Sequence, residues 1–160
     1  MTEIFFYSNI ANINKWVFKL SEKALEVERN LVIVADKELA DVLSLGLWSW
    51  RDTSFISNNF QESSSRLDTV VFGDNPTLTH HDTMVNLRDQ IPSRFSSFKR
   101  ICEYVSNNPT QKNNAREKYN WYKHRGYPIT IHRVSRIWMA GTIVISRSIL
   151  QCLFWDCHEP

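Results

Sequence analysis

Residues 31–35, Leu31-Val32-Ile33-Val34-Ala35, form an unbroken apolar run of strand length. A strand with one wet face alternates apolar and polar residues. A strand with no polar position at all is buried on both faces, as in a parallel sheet covered by helices. The surroundings agree with that reading. Upstream, Ile4-Phe5-Phe6-Tyr7 is β-branched and aromatic and predicts a first strand. Between the two runs, Ile13, Trp16, Val17, Leu20, Ala24 and Val27 recur at intervals of three and four, which predicts an amphipathic helix over roughly residues 12–29. Downstream, Asp36 offers a cap, and Leu39, Val42, Leu43 and Leu47 predict a second helix ending near Trp48. A β-α-β-α opening predicts an α/β three-layer sandwich, its mainly parallel sheet flanked by helices.

The rest of the chain extends this pattern. Residues 49–66 turn polar around Ser63-Ser64-Ser65 and read as a loop. Thr69-Val70-Val71-Phe72 predicts a third strand and Thr83-Met84-Val85-Asn86-Leu87 a fourth, with a turn at Gly73-Asp74-Asn75-Pro76 between them. Phe98 to Val105, centred on Ile101 and Tyr104, reads as a strand in preference to a short helix. Asn108 to Tyr127 predicts a helix with marked ends: Asn108 as cap, Pro109 at the first position, Gln111 three residues past the cap, and Gly126 at the far end. Ile129-Thr130-Ile131 predicts a short last strand.

A chain of 160 residues suits one domain with a real core, and 42% hydrophobic with 22% charged content is ordinary for a soluble globular protein. The net charge of +2 is unevenly placed: residues 1–98 hold nine Lys/Arg against thirteen Asp/Glu, and residues 99–132 hold seven against two. Local basic potential favours one defined acidic partner over general nucleic-acid coating. Cys102, Cys152 and Cys157 are odd in number and lack a Cys-x-x-Cys pair, so free thiols in a reducing cytoplasm are expected. Met1-Thr2-Glu3 carries an acid where a secretory signal would be basic.

Most catalytic chemistry finds no support. The four glycines are Gly46, Gly73, Gly126 and Gly141, so neither early strand-to-helix turn has the glycine that close approach to phosphate requires. A phosphate-binding loop is absent, and no cofactor is expected. His80-His81-Asp82 suggests a metal site, but neighbouring side chains of an extended segment point to opposite faces, and no further His or Cys lies at ligand spacing. No metal is expected there. No Ser or Cys sits in a nucleophile elbow, and Asp82 with Asp89 does not make an acid/base pair.

Two surface features remain. Leu47-Trp48-Ser49-Trp50, followed by Phe55, either seals a sheet edge or anchors a partner. In the basic helix, Lys112, Arg116, Tyr119 and Lys123 fall on one stripe. A cationic stripe holding an aromatic ring suits an acidic peptide, a carboxylate or a phosphate. The alternative is a solvated helix face whose tyrosine packs inward.

Several ordered landmarks carry a resemblance over about residues 3–132. They are the Phe-rich first strand, Leu47-Trp48 with Phe55, His81-Asp82-Thr83-Met84-Val85-Asn86-Leu87, and Ala115-Arg116-Glu117-Lys118-Tyr119 running to Arg125-Gly126-Tyr127. In these the chain resembles the chi subunit of bacterial DNA polymerase III holoenzyme. The resemblance implies a Rossmann-like fold lacking nucleotide binding, and a non-enzymatic replication accessory protein. It also implies a cytoplasmic, replisomal place and two partners. The psi subunit would face Trp48 and Phe55. The acidic C-terminal tail of single-stranded-DNA-binding protein (SSB) would dock on Val105, Lys112, Arg116, Tyr119 and Lys123, making contact with single-stranded DNA indirect. Asn120 stands where some chi proteins carry lysine, with Lys118 or Lys123 as candidate replacements. Two rivals stay open: an α/β enzyme using the basic helix as an anion site, and a domain binding nucleic acid directly.

The resemblance stops at Arg133. A chi-like domain over 1–132 is followed by an extension over 133–160 in which Ile137 to Trp155 is mostly apolar, interrupted by Arg147, Gln151 and serines. A membrane span needs about 20 predominantly apolar residues and tolerates a central arginine poorly. No membrane contact is expected. The extension reads either as a helix packed on the domain or as a tail without function.

Overall fold

The computed structural model describes residues 1–52, 56–60, 68–73 and 82–134. Its strands are β1 (Glu3–Ser8), β2 (Leu31–Val34), β3 (Asn58–Phe60), β4 (Val70–Phe72), β5 (Thr83–Asn86), β6 (Arg100–Tyr104) and β7 (Ile129–Arg133). Its helices are α1 (Ile13–Glu26), α2 (Lys37–Trp48) and α3 (Pro109–His124). The seven strands form one sheet in the order β3-β4-β2-β5-β6-β1-β7, and every pairing is parallel. The sheet is thus wholly parallel, a stricter form of the mainly parallel one expected.

The run that predicted this layering sits inside the sheet. All four residues of β2 are buried, with Leu31 between Val70 of β4 and Thr83 of β5. Side-chain alternation then divides the core in two. On one face Trp16, Val17, Leu20 and Ala24 of α1 and Leu43 and Leu47 of α2 pack against Phe5, Tyr7, Ile33 and Val85. On the other, Tyr122 of α3 packs against Ile4, Phe6, Val32, Met84 and Ile101. The close approach of α1 and α2 needs Gly46, because a Cβ there would run into the Phe18 ring.

Four details differ from the sequence reading. The expected loop over 49–66 contains β3, whose asparagines are poor strand formers. Pairing with β4 holds it (Asn58 opposite Val70), and the Ser44 hydroxyl of α2 donates to Asn58 Oδ1 at 2.7 Å. Second, β4 and β5 do not pair with each other; both flank β2, so their link is a crossover. Residues 74–76 of the expected turn and Ser63-Ser64-Ser65 lie outside the described residues. Third, Asp36 makes no side-chain cap and pairs instead with Arg88 at 3.3 Å. Helix α1, by contrast, is capped by Asn12, whose side chain accepts from Lys15 N at 3.0 Å. Fourth, Val42 of α2 is 53% exposed, not part of the core.

On the edge strand β7, His132 is buried and stacks on Phe5 and Tyr7, with ring centroids 5.8 and 5.2 Å away. Its Nε2 meets no hydrogen-bond partner among the described residues, and burial lowers its pKa. The fold therefore favours neutral imidazole. Below the unfolded value of about 6.5 the unfolded chain binds a proton that the folded chain resists, so this contribution is full above that pH and declines as pH falls towards the folded value. Thermal unfolding at pH 7 and pH 5 should show a smaller acid-induced drop for His132→Phe than for the native chain. Equal drops would mean His132 carries none of the acid sensitivity.

Candidate functional site

Helix α3 forms as its end signals predict. Asn108 Oδ1 accepts from Thr110 N at 3.1 Å, Pro109 opens the helix, and Gly126 follows the cap residue Arg125 at φ 77°, a left-handed conformation that glycine adopts without strain. Ala115, Lys118 and Tyr122 form its buried side. On the flank, Lys112, Arg116 and Lys123 are exposed and Tyr119 is half-buried. The Tyr119 ring meets Phe6 of β1 edge-on at 5.9 Å, and Lys123 Nζ lies 5.9 Å from the Tyr119 ring centroid. Arg116 Nη1 donates to Asn113 Oδ1 at 3.2 Å. Val105, just past β6, donates its N–H to Tyr7 O at 2.9 Å and packs on the same side of the core as Tyr119. The structure therefore brings Val105, Tyr119 and the cationic stripe together.

The opposite bank comes from β7. Ile129 packs into the core beneath α3, so alternation places Ile131 and Arg133 on that same face. Ile131 lies beside Phe6 in register and is 64% exposed, and Arg133 lies beside Ser8. The result is an apolar shelf of Val105, Tyr119 and Ile131 over the buried Phe6 ring, with cations on both sides. The sequence reading ended this strand at Ile131, and the structure carries it two residues further, to Arg133. The shelf lies where topology leaves an opening. The chain leaves β6 towards the α3 face and β1 towards the α1 face, and a crevice forms at the carboxyl ends of such neighbouring strands.

Lys118 is not available to this surface. It is buried and ion-paired to the fully buried carboxylate of Glu103. Glu103 also accepts from Asn86 Nδ2 at 3.0 and 3.1 Å and from the Tyr122 hydroxyl at 2.9 Å, while Lys118 Nζ donates to Arg88 O at 3.1 Å. Burial first, then the Glu103 charge, push the Tyr122 pKa upward, so it remains a protonated donor. Every member of this set is engaged, which fixes the rotation of α3 and turns its stripe towards β7. Of the two lysines expected to substitute for a cation at Asn120, only Lys123 reaches solvent.

A second surface lies on α2, where Val42, Leu45 and Trp48 are 53%, 72% and 52% exposed. Leu45 was not singled out by sequence reading, which cannot separate an exposed apolar residue from a core one. Trp50 behaves differently and packs on Phe18 at 5.1 Å. Phe55 lies outside the described residues, as do His80, His81, Cys152, Cys157 and the stretch Ile137 to Trp155. Asp82 is bound by Lys99 at 3.2 Å and Arg29 at 3.7 Å. Among the described residues no cluster of three His, Cys, Asp or Glu is placed to hold a metal, and no helix is long and apolar enough to cross a membrane.

Fold and surfaces together define a parallel α/β domain with exposed apolar side chains on α2, a cationic flank on α3 and no glycine in the turns that follow β1 and β2. Comparison with known proteins places it further. The sequence model of the DNA polymerase III chi subunit, HolC, matches residues 1–130. The chain is 30% identical over 120 residues to DNA polymerase III subunit chi of Pseudomonas aeruginosa, covering 74% of this chain and 84% of that protein. The chain belongs to the DNA polymerase III chi subunit family.

Proposed function

We propose that this chain is a non-catalytic subunit of DNA polymerase III holoenzyme that links the clamp loader, through the psi subunit, to the acidic C-terminal tail of SSB. The observation that carries the reading is the flank of α3, where Lys112, Arg116 and Lys123 border the shelf of Val105 and Tyr119 over the buried Phe6. A peptide with acidic residues, a final apolar side chain and a free carboxylate needs both elements. Arg116 grips the carboxylate in a bidentate fork. Lys112 and Lys123 act as less directional charges for the upstream acids. Tyr119 and Val105 receive the apolar side chain. The psi subunit docks on the outer face of α2 at Trp48, with Val42 and Leu45 beside it and Phe55 following in sequence. Single-stranded DNA is reached through SSB.

Co-purification of the chain with psi and SSB from the same organism tests this reading. Trp48→Ala is expected to weaken psi capture at least tenfold, because truncating a central aromatic anchor costs about 2 kcal/mol or more. SSB capture should be unchanged. Equal loss of both partners by a variant with an unchanged circular dichroism spectrum would overturn the separation of the two surfaces. A thermal-shift screen with nucleotides and phosphorylated metabolites addresses the enzyme reading, which predicts stabilisation by one of them.

A further inference from the structure

The chain leaves the described domain beside the proposed tail site. Val134 is buried, its N–H donates to Ser8 O at 2.9 Å, and its carbonyl accepts from Asn9 Nδ2 at 2.9 Å. Val105 is tied to the other side of the same strand end, through Tyr7 O. Two strand spacings of about 4.8 Å therefore separate them, roughly 10 Å. From Lys112 to Lys123 the stripe extends about 16 Å along α3 at 1.5 Å per residue.

The segment beyond Val134 carries the chemistry this surface selects. Leu153-Phe154-Trp155-Asp156 sets apolar rings against a carboxylate, Glu159 adds a second, and no Lys or Arg comes after Arg147. Complementarity with Lys112, Arg116, Lys123 and Arg133 is direct, and the exposed Ile131 supplies apolar surface for a ring. Reach is not limiting. Phe154 lies twenty residues beyond Val134, and even the compact rise of a helix, about 1.5 Å per residue, would carry a chain of that length about 30 Å, more than the extent of the site.

We propose that residues 154–159 dock in cis on the shelf between Arg116 and Ile131 and compete with the SSB tail, an inference that rests on the tail-site reading above. The segment acts as a built-in competitor. An external tail must displace it, so apparent affinity is lowered by the fraction of chains whose site is open.

The test titrates a fluorescent peptide, the nine C-terminal residues of the organism's SSB, into two full-length chains. One is native; the other carries Phe154→Ser, Trp155→Ser, Asp156→Asn and Glu159→Gln. With one site in ten open in the native chain, the variant binds about tenfold more tightly. Equal affinity overturns the cis competitor and leaves the tail site standing. Binding to neither chain overturns both readings. An affinity of the native chain that falls as its own concentration rises places the segment on a second copy and overturns docking in cis. As an independent readout, amides of residues 152–159 should exchange faster in Arg116→Ala than in the native chain, with an unchanged circular dichroism spectrum; unchanged exchange also counts against the proposal.

Discussion

Replacing Arg116 with alanine is expected to weaken SSB-tail binding about 30-fold or more while leaving the fold intact. The magnitude follows from truncating one partner of a hydrogen-bonded charge pair, which costs about 2–5 kcal/mol. The fold survives because Arg116 is exposed and its described hydrogen bond is to the neighbouring Asn113. Surface changes of this kind shift stability by only about 0.5 kcal/mol. Lys112→Ala and Lys123→Ala should each cost less, about 0.2–1 kcal/mol, as expected of exposed point charges. Arg116→Lys should fail to restore binding, because an ammonium cannot form the planar fork. Calorimetric titration with the tail peptide measures all four. Unchanged affinity in Arg116→Ala would remove the arginine from the site.

Lys118→Met should have the largest effect on stability, about 3–5 kcal/mol, because it strands the buried Glu103 carboxylate without its cation. Asn86 and Tyr122 would still donate to Glu103, but neutral donors do not compensate a buried charge. Combining Lys118→Met with Glu103→Gln should be less damaging than the sum of the two single changes, as coupled partners in one network require. Urea unfolding of the three variants gives the coupling. A loss below about 1 kcal/mol for Lys118→Met would show that the pair does not hold α3 in place. Because this network sets the rotation of α3, tail binding should fall together with stability in Lys118→Met, in contrast to Arg116→Ala.

The layering of the fold was legible because burial on both faces leaves an unmistakable mark, as in Leu31 to Val34. The ends of α3 were legible because Asn108, Pro109 and Gly126 act through local backbone chemistry. Strand β3 was not, since Asn58-Asn59-Phe60 has little preference of its own and takes its conformation from β4. Lys118 was read as a surface cation, although its spacing from Ala115 and Tyr122 puts it on the buried side and an acid waits at Glu103. The stripe of Lys112, Arg116, Tyr119 and Lys123 could be drawn from helical spacing alone. Its other bank could not, because only the parallel pairing of β1 with β7 brings Ile131 beside Phe6. On α2, Val42 looks like a core residue in sequence and becomes visible as surface, with Leu45 beside it, only in the folded chain.

The most direct measurement is a calorimetric titration of the native chain with the SSB C-terminal peptide. It is run at low and high salt, beside the same peptide lacking its last apolar residue and beside bare single-stranded DNA. Binding that requires the last apolar residue, weakens with salt and greatly exceeds affinity for bare DNA is the expected result. Equal affinity for the shortened peptide, or for DNA alone, would contradict a peptide-tail site on Arg116 and Tyr119.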